Sequence, residues 1–140
     1  MRFRTLPRIR VFGGSQLRPN IHIQDMVRAY HLLLESPAAT IDGRTFNVGF
    51  QNRSVSDLAG LVFQTLDDPS VVIDYEPSDD LRSYHVNSDR IRSVLGFEAV
   101  HTIEDAIRDL QDAFEGGRMS EPLTNPAYYN IRTMQLLNLG

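Results

Sequence analysis

A pair of glycines, Gly13-Gly14, set between two short apolar stretches constrains this chain more than any other feature. From Val11 to Asp25 the sequence reads as strand, tight glycine turn, one arginine, short strand and helix start. Glycine lets a backbone bend sharply and come close to a ligand because it carries no Cβ. Arg18 follows the turn, and Ile21 and Ile23 alternate with polar neighbours, the pattern of a half-buried strand. Asp25 is expected to open an amphipathic helix. A planar guanidinium held between a turn and a strand suits a phosphate, since its fork can bond two oxygens at once. The plainer reading is a surface arginine beside an ordinary hairpin, and one arginine after Gly-Gly does not exclude it.

Around this stretch the periodicity lays out alternating strands and helices. Arg8 to Phe12 reads as a strand with Ile9 and Val11 on one face. Asp25 to Glu35 reads as a helix whose apolar side is Met26, Val27, Tyr30, Leu33 and Leu34, stopped at Ser36-Pro37. A turn at Ile41 to Arg44 leads to an expected strand, Thr45 to Gly49. Ser54 and Asp57 have capping-box spacing before a helix with Val55, Leu58, Ala59, Val62 and Leu66 on its stripe. Val71 to Tyr75 is β-branched and short, and Glu76 to Tyr84 is a polar loop. Ser88 is expected to cap a helix carrying Ile91, Val94 and Leu95 and ended by Gly96. Thr102 and Asp105 repeat the capping pattern before a helix burying Ile103, Ala106, Ile107, Leu110 and Phe114. The aromatic tail from Asn125 is expected to pack, with a final short helix to Leu137. The order of the strands is not legible.

Composition removes several chemistries. A length of 140 residues suits one domain with a real core. There is no cysteine, which excludes disulfides and thiolate metal sites, and Met1 to Pro7 lacks the apolar run of a signal peptide. A cytoplasmic location and no membrane partner are the expectations. The net charge of -4 argues against a nucleic-acid partner, which would need a basic face. Every basic residue is arginine, so mechanisms that need lysine are closed: a P-loop, a Schiff base or a Tyr-x-x-x-Lys pair. His22, His31, His85 and His101 do not pair at ligand spacing, and no metal site is expected. No Gly-x-Ser-x-Gly elbow is present, nor a Gly-x-Gly-x-x-Gly fingerprint between strand and helix. Asp67-Asp68 reads as a solvated turn. Asp79-Asp80 precedes Arg82 and Tyr84, and that spacing admits two readings, a loop pinned by its own ion pair or a second phosphate clamp.

Six segments follow one another in a telling order: Arg10 to Gly13, Arg18 to Met26, Phe46 to Gly49, Ser54 to Ala59, Asp80 to His85, and Ile91 to Phe97. Together they resemble the C-terminal half of extended short-chain dehydrogenase/reductases, the NAD-dependent nucleotide-sugar epimerases and dehydratases. The resemblance covers roughly residues 8 to 110. It implies an α/β fold, a small mixed sheet with helices, in which residues 1–140 form the substrate-binding lobe, 118–140 a packing tail, and the Rossmann half is absent. Arg18 and Arg82 match arginines that grip the sugar-nucleotide diphosphate. Arg10, Val11 and Phe12 match the strand beside the nucleotide base, Asp80 and Tyr84 support the later loop, and Asn47 matches a framework asparagine. Pro19 and Asn20 depart from the acidic and aromatic residues usual after the first arginine. Tyr128-x-x-x-Arg132 has the spacing of the family's catalytic pair, but with arginine for lysine.

The implied function is the nucleotide-sugar binding portion of an NAD-dependent epimerase or dehydratase, with no catalytic residue and no cofactor bound by this chain alone. NAD(P) would belong to the intact enzyme. The partners implied are a nucleoside-diphosphate sugar, the missing Rossmann half and a second copy of the chain, through self-association or exchange of a segment such as residues 1–12. The alternatives are a stand-alone sugar-nucleotide binding module and a non-catalytic interaction domain.

Overall fold

The computed structural model describes residues 7–80 and 82–138. Met1 to Leu6 lie outside the described residues, and with them most of the segment expected to exchange; so do Leu81, Leu139 and Gly140. The chain divides into two compact units, residues 1–108 and 109–140.

In the first unit, strand β1 (Arg8–Phe12) leads through the glycine turn into strand β2 (Leu17–Asn20). Helix α1 (Ile23–Glu35) and the single turn α2 (Ala38–Ile41) follow, then strand β3 (Gln51–Ser54), helix α3 (Val55–Leu66) and strand β4 (Val72–Glu76). Helix α4 (Asp89–Leu95) comes next, and helix α5 (Ile103–Glu115) starts in this unit and ends in the second. The second unit adds a 3-10 turn at Pro126–Tyr128 and helix α6 (Asn130–Leu136).

The single mixed sheet expected is instead two separate two-stranded sheets among the described residues. β1 pairs with β4 in parallel, and β2 pairs with β3 antiparallel. Charge follows the parallel register: Arg8, two residues before Arg10↔Asp74, reaches Asp74 at 2.6 Å, and Arg10 lies 3.9 Å from Glu76. Pro19 sits opposite Asn52 in β2, where an edge strand tolerates a missing N–H.

Two further expectations are corrected. The strand placed at Thr45 to Gly49 forms no ladder; the strand is Gln51–Ser54, one step later. The alternation there is real, since Phe46 and Val48 pack on the core. Its backbone, however, meets no neighbouring strand among the described residues; the Gly49 N–H donates to Ser88 Oγ (2.8 Å), and that hydroxyl donates to the Gly49 carbonyl (2.9 Å). Ser88 is therefore spent as a bridge and does not cap α4 through its side chain. The second correction concerns Ile21 and Ile23, which are not a strand pair. The strand ends at Asn20, Ile23 is the first residue of α1, and His22 caps that helix by accepting the Gln24 N–H at Nδ1, 3.2 Å.

The apolar side expected for α1 is only partly covered: Met26 and Leu33 are half-buried beside Phe46 and Val48. Ala29 is buried against Ile91 and Phe97, with Leu32 beside them. Val27, Tyr30 and Leu34 are exposed, Leu34 by 84%. On α5, Ile107 is buried while Leu110 and Phe114 are half exposed. The capping boxes hold as expected. Ser54 Oγ accepts the Asp57 N–H at 3.0 Å, and Thr102 Oγ1 accepts that of Asp105 at 3.2 Å. Gly96 closes α4 with φ of 66°.

Asp25 fixes the position of α1. Its side chain is fully buried and accepts the N–H groups of Val100 (3.0 Å) and His101 (2.8 Å) and the Arg28 guanidinium (2.6 Å). His101 Nδ1 lies 3.1 Å from the same carboxylate, off the axis of a hydrogen bond, and its ring stacks on His22 at 4.8 Å. Burial pushes the Asp25 carboxyl up, but the bonds from His101, Arg28 and Val100 outweigh it and hold it below its ordinary value. Asp25→Ala is expected to cost about 3 kcal/mol, because it removes the buried acceptor of two part-buried backbone N–H groups and of Arg28. Since the folded-state value is the lower one, this stabilisation is full above pH about 4 and fades as pH falls further. Urea titrations of both proteins between pH 3 and 7 check this: the gap is expected to be constant above that point and to shrink below it.

Candidate functional site

The glycine turn is shaped by its own chain. Gly13 and Gly14 have φ of 77° and 131°, values that side chains disfavour. A Cβ on Gly14 would meet Ser56 Oγ at 2.3 Å, and one on Gly13 would meet the Gln16 amide at 2.9 Å. Gln16 staples the turn, accepting the Gly14 N–H at 2.6 Å and donating to the Phe12 carbonyl at 2.7 Å. The Gly14 carbonyl accepts the Ser56 N–H at 2.9 Å, which seats the first turn of α3 on the loop. The close approach expected toward a ligand is thus made toward Gln16 and α3. Gln16 went unnoticed in the sequence because no spacing rule marks a glutamine that bonds back to a turn.

The turn delivers Arg18 into β2, and there the chain brings distant residues together. Arg18 Nη1 donates to the carbonyls of Leu17 (2.9 Å) and Arg82 (2.6 Å), the latter 64 residues away. The Tyr84 N–H donates to the Leu17 carbonyl at 3.1 Å, and the Leu17 N–H donates to Ser83 Oγ at 2.9 Å. The loop from Asp80 to Tyr84 is thereby hydrogen-bonded to the start of β2. The Arg18 guanidinium carbon lies 5.4 Å from the centre of the Tyr84 ring, within cation–π range.

Asp80 stands between the two arginines. Arg82 forks onto it, Nε to Oδ1 at 2.7 Å and Nη2 to Oδ2 at 2.9 Å, and the Arg82 N–H adds a bond of 3.2 Å. Arg18 Nη2 is 3.7 Å from Oδ2. The bonds from the Arg82 side chain and backbone, with the charge of Arg18 behind them, hold the Asp80 carboxyl down to about 2. The same fork pushes the Arg82 guanidinium up. Arg18, Asp80, Arg82 and Tyr84 thus form one cluster, and the ion-pair reading of Asp80-x-Arg82 is realised.

The β1 residues make their contacts with β4 instead. The Val11 side chain is buried, Arg10 points toward Glu76, and Phe12 is half exposed. Asn47 is exposed. The asparagine that does brace the frame is Asn52, whose amide bonds both the N–H (2.9 Å) and the carbonyl (3.1 Å) of Val86. Its position in β3, across from Pro19, gave no cue before the register was known.

The model of the NAD dependent epimerase/dehydratase family matches residues 2–49, the stretch holding β1, the glycine turn, Arg18 and α1. No curated protein matches the chain. Among solved structures, L-threonine dehydrogenase from Phytophthora infestans superposes with a TM-score of 0.67 at 13% identity, over 79% of this chain and 37% of that one. RMD from Pseudomonas aeruginosa, complexed with NADPH, gives 0.66 at 22% identity, over 79% and 36%. UDP-glucose 4-epimerase from Thermotoga maritima, solved with UDP-glucose, gives 0.64 at 23% identity, over 80% and 36%. This chain therefore spans little more than a third of the length of those enzymes. Residues 2–49 thus match the model of the NAD dependent epimerase/dehydratase family, and the chain shares its fold with part of these dehydrogenases and epimerases.

Proposed function

We propose that this chain is the C-terminal, substrate-binding portion of a sugar-nucleotide epimerase or dehydratase, with Arg18 and Arg82 holding the diphosphate. In this reading residues 1–140 are one functional lobe, 118–140 its tail, and β1 from Arg10 to Phe12 borders the base. The observation that carries it is the meeting of Arg18 and Arg82 around a single anion, the Asp80 carboxylate. Fold does not choose the substrate, because threonine dehydrogenases share it with UDP-glucose epimerases. Two guanidiniums gathered at one carboxylate favour a diphosphate over an uncharged or zwitterionic substrate. Arg18 is the better anchored, being 30% exposed and stacked on Tyr84, whereas Arg82 is 73% exposed and reaches outward.

The residues present do not fit NAD(P). A dinucleotide cradle needs glycines that open a helix after a strand. Here the glycine turn runs into β2, and Gln16 and Ser56 fill the space beside it. With no lysine in the chain, the proton transfer of a Tyr-x-x-x-Lys pair has no counterpart either. We assign cofactor binding and hydride transfer to another polypeptide or another part of a longer one. The task of this lobe is then to position the substrate. The exposed apolar side of α1, with Ile23, Val27, Tyr30 and Leu34, is the face we assign to that partner or to a second copy of the chain.

Calorimetry with UDP tests the clamp. Arg18→Ala and Arg82→Ala are each expected to weaken binding by about tenfold or more, and Arg18→Lys to recover only part of the loss. Arg44→Ala is the control; a loss there equal to the others would mean diffuse charge and no site. Saturation-transfer NMR is expected to show no micromolar binding of NAD to the chain, and any turnover of a sugar nucleotide by it alone would overturn the assignment of chemistry elsewhere. In sedimentation at micromolar concentration we expect a dimer or larger species, and a monomer that ignores hydrophobic dye would argue for a self-sufficient binding module.

A further inference from the structure

Asp80 has a place in the cluster that the clamp does not account for. It already makes the bonds a phosphate oxygen would make: a two-point fork from Arg82, a backbone N–H, and a charge contact with Arg18. Its tether is short, two residues from Arg82, so its effective concentration at the guanidiniums is very high. Resting on the clamp reading above, we propose that Asp80 is a built-in competing anion that occupies the arginine pair and that a phosphate ligand must displace.

Binding at this cluster is an exchange of one anion for another. A ligand that meets Arg82 with a single phosphate only replaces the bonds Asp80 already supplies, and it must also displace a tethered group. It gains little. A diphosphate offers a separate set of oxygens to each guanidinium and carries more charge than the carboxylate it replaces. Arg18 is placed for the second half of that contact. Its Nη1 is committed to the Leu17 and Arg82 carbonyls, while Nη2 faces Asp80 across 3.7 Å, beyond hydrogen-bond length. That unused donor is the part of the cluster that a bridging anion satisfies and Asp80 does not. Exposure makes the exchange feasible, since the Asp80 side chain is 39% exposed and can swing toward water without leaving a buried charge behind. The loop keeps its seat meanwhile, because Leu17, Ser83 and Tyr84 hold it through bonds that do not involve the carboxylate.

Calorimetry with UDP and UMP, which differ by one phosphate, tests this on the full chain with Asp80→Asn and Asp80→Glu. Asparagine keeps an oxygen for the Arg82 N–H and removes the charge; glutamate keeps the charge. In the unaltered protein UDP is expected to bind about tenfold or more tighter than UMP. Asp80→Asn is expected to tighten UDP and UMP alike by about tenfold, while Asp80→Glu leaves both close to the unaltered protein. Unchanged or weaker binding of both ligands in Asp80→Asn would overturn the inference and make Asp80 a positioning residue for Arg82. If in that case Arg18→Ala and Arg82→Ala still weaken UDP, the clamp stands and only the role of Asp80 fails. If neither arginine variant affects UDP, or if the unaltered protein and Asp80→Asn both bind nothing at millimolar concentration, the clamp fails and this inference with it.

Discussion

Taking a carboxylate out of water is costly unless donors replace the solvent, and the first unit is organised around one that has been so taken. Asp25 is fully buried, and its acceptors are filled from the backbone of Val100 and His101 and from Arg28. Those bonds join the first turn of α1 to the segment that begins α5. Once α1 is fixed, Ala29 meets Ile91 and Phe97, and the chain entering α1 is fixed as well: His22 as the cap, then β2 with Arg18. The position of the candidate site is therefore a downstream consequence of a buried ion several residues away. His22 and His101 stack beside it, so the polar centre is continuous with the helix cap.

The parts of this fold that were legible in the sequence are those specified by neighbours in sequence. The capping boxes at Ser54-Asp57 and Thr102-Asp105 and the left-handed Gly96 need only a few adjacent residues, and they stand where expected. What was not legible depends on partners far along the chain. Thr45 to Gly49 has the alternation of a strand, but a ladder needs a second strand, and alternation is silent about whether one is there. Ser88 looks like a cap by spacing, yet its hydroxyl is taken by Gly49, 39 residues away. Gln16, Asn52 and Asp25 all act by bonding backbone that is close only after folding. For the site, Arg18, Asp80, Arg82 and Tyr84 were singled out, and they do converge; that Asp80 would take the fork of Arg82 was one of two readings the spacing left open.

The electrostatics of the cluster limit how it can respond. Guanidinium groups stay protonated through the accessible pH range, and the Asp80 carboxyl is held down to about 2. No proton gained or lost near neutrality can loosen the ion pair. The cluster can be opened only by salt, which screens exposed charges, or by another anion that bonds the arginines better. A cluster built from lysine and histidine would have had a third route, titration, and this chain's exclusive use of arginine among its basic residues closes it.

The same distinction between having an apolar face and knowing what covers it explains α1. Its sequence carries apolar residues on two sides: Ala29 and Leu32 on one, and Ile23, Val27, Tyr30 and Leu34 on another, the second set spaced four, three and four residues apart. The face expected from periodicity, Met26, Val27, Tyr30, Leu33 and Leu34, straddles the two, and it is the smaller residue, Ala29, that packs with Ile91 and Phe97 in the core. A helix apolar on more than one side is ordinarily buried on more than one side. Within the described residues only one side of α1 is covered, and the other leaves Ile23 71% and Leu34 84% exposed. Next to it, Met26, Leu33, Phe46 and Val48 line a shallow groove of about 210 Å³ along the very segment, Thr45 to Gly49, that has a strand's alternation without a strand's partner. The uncovered helix face and this groove lie side by side as one apolar surface, the one assigned above to a proposed partner or a second copy of the chain.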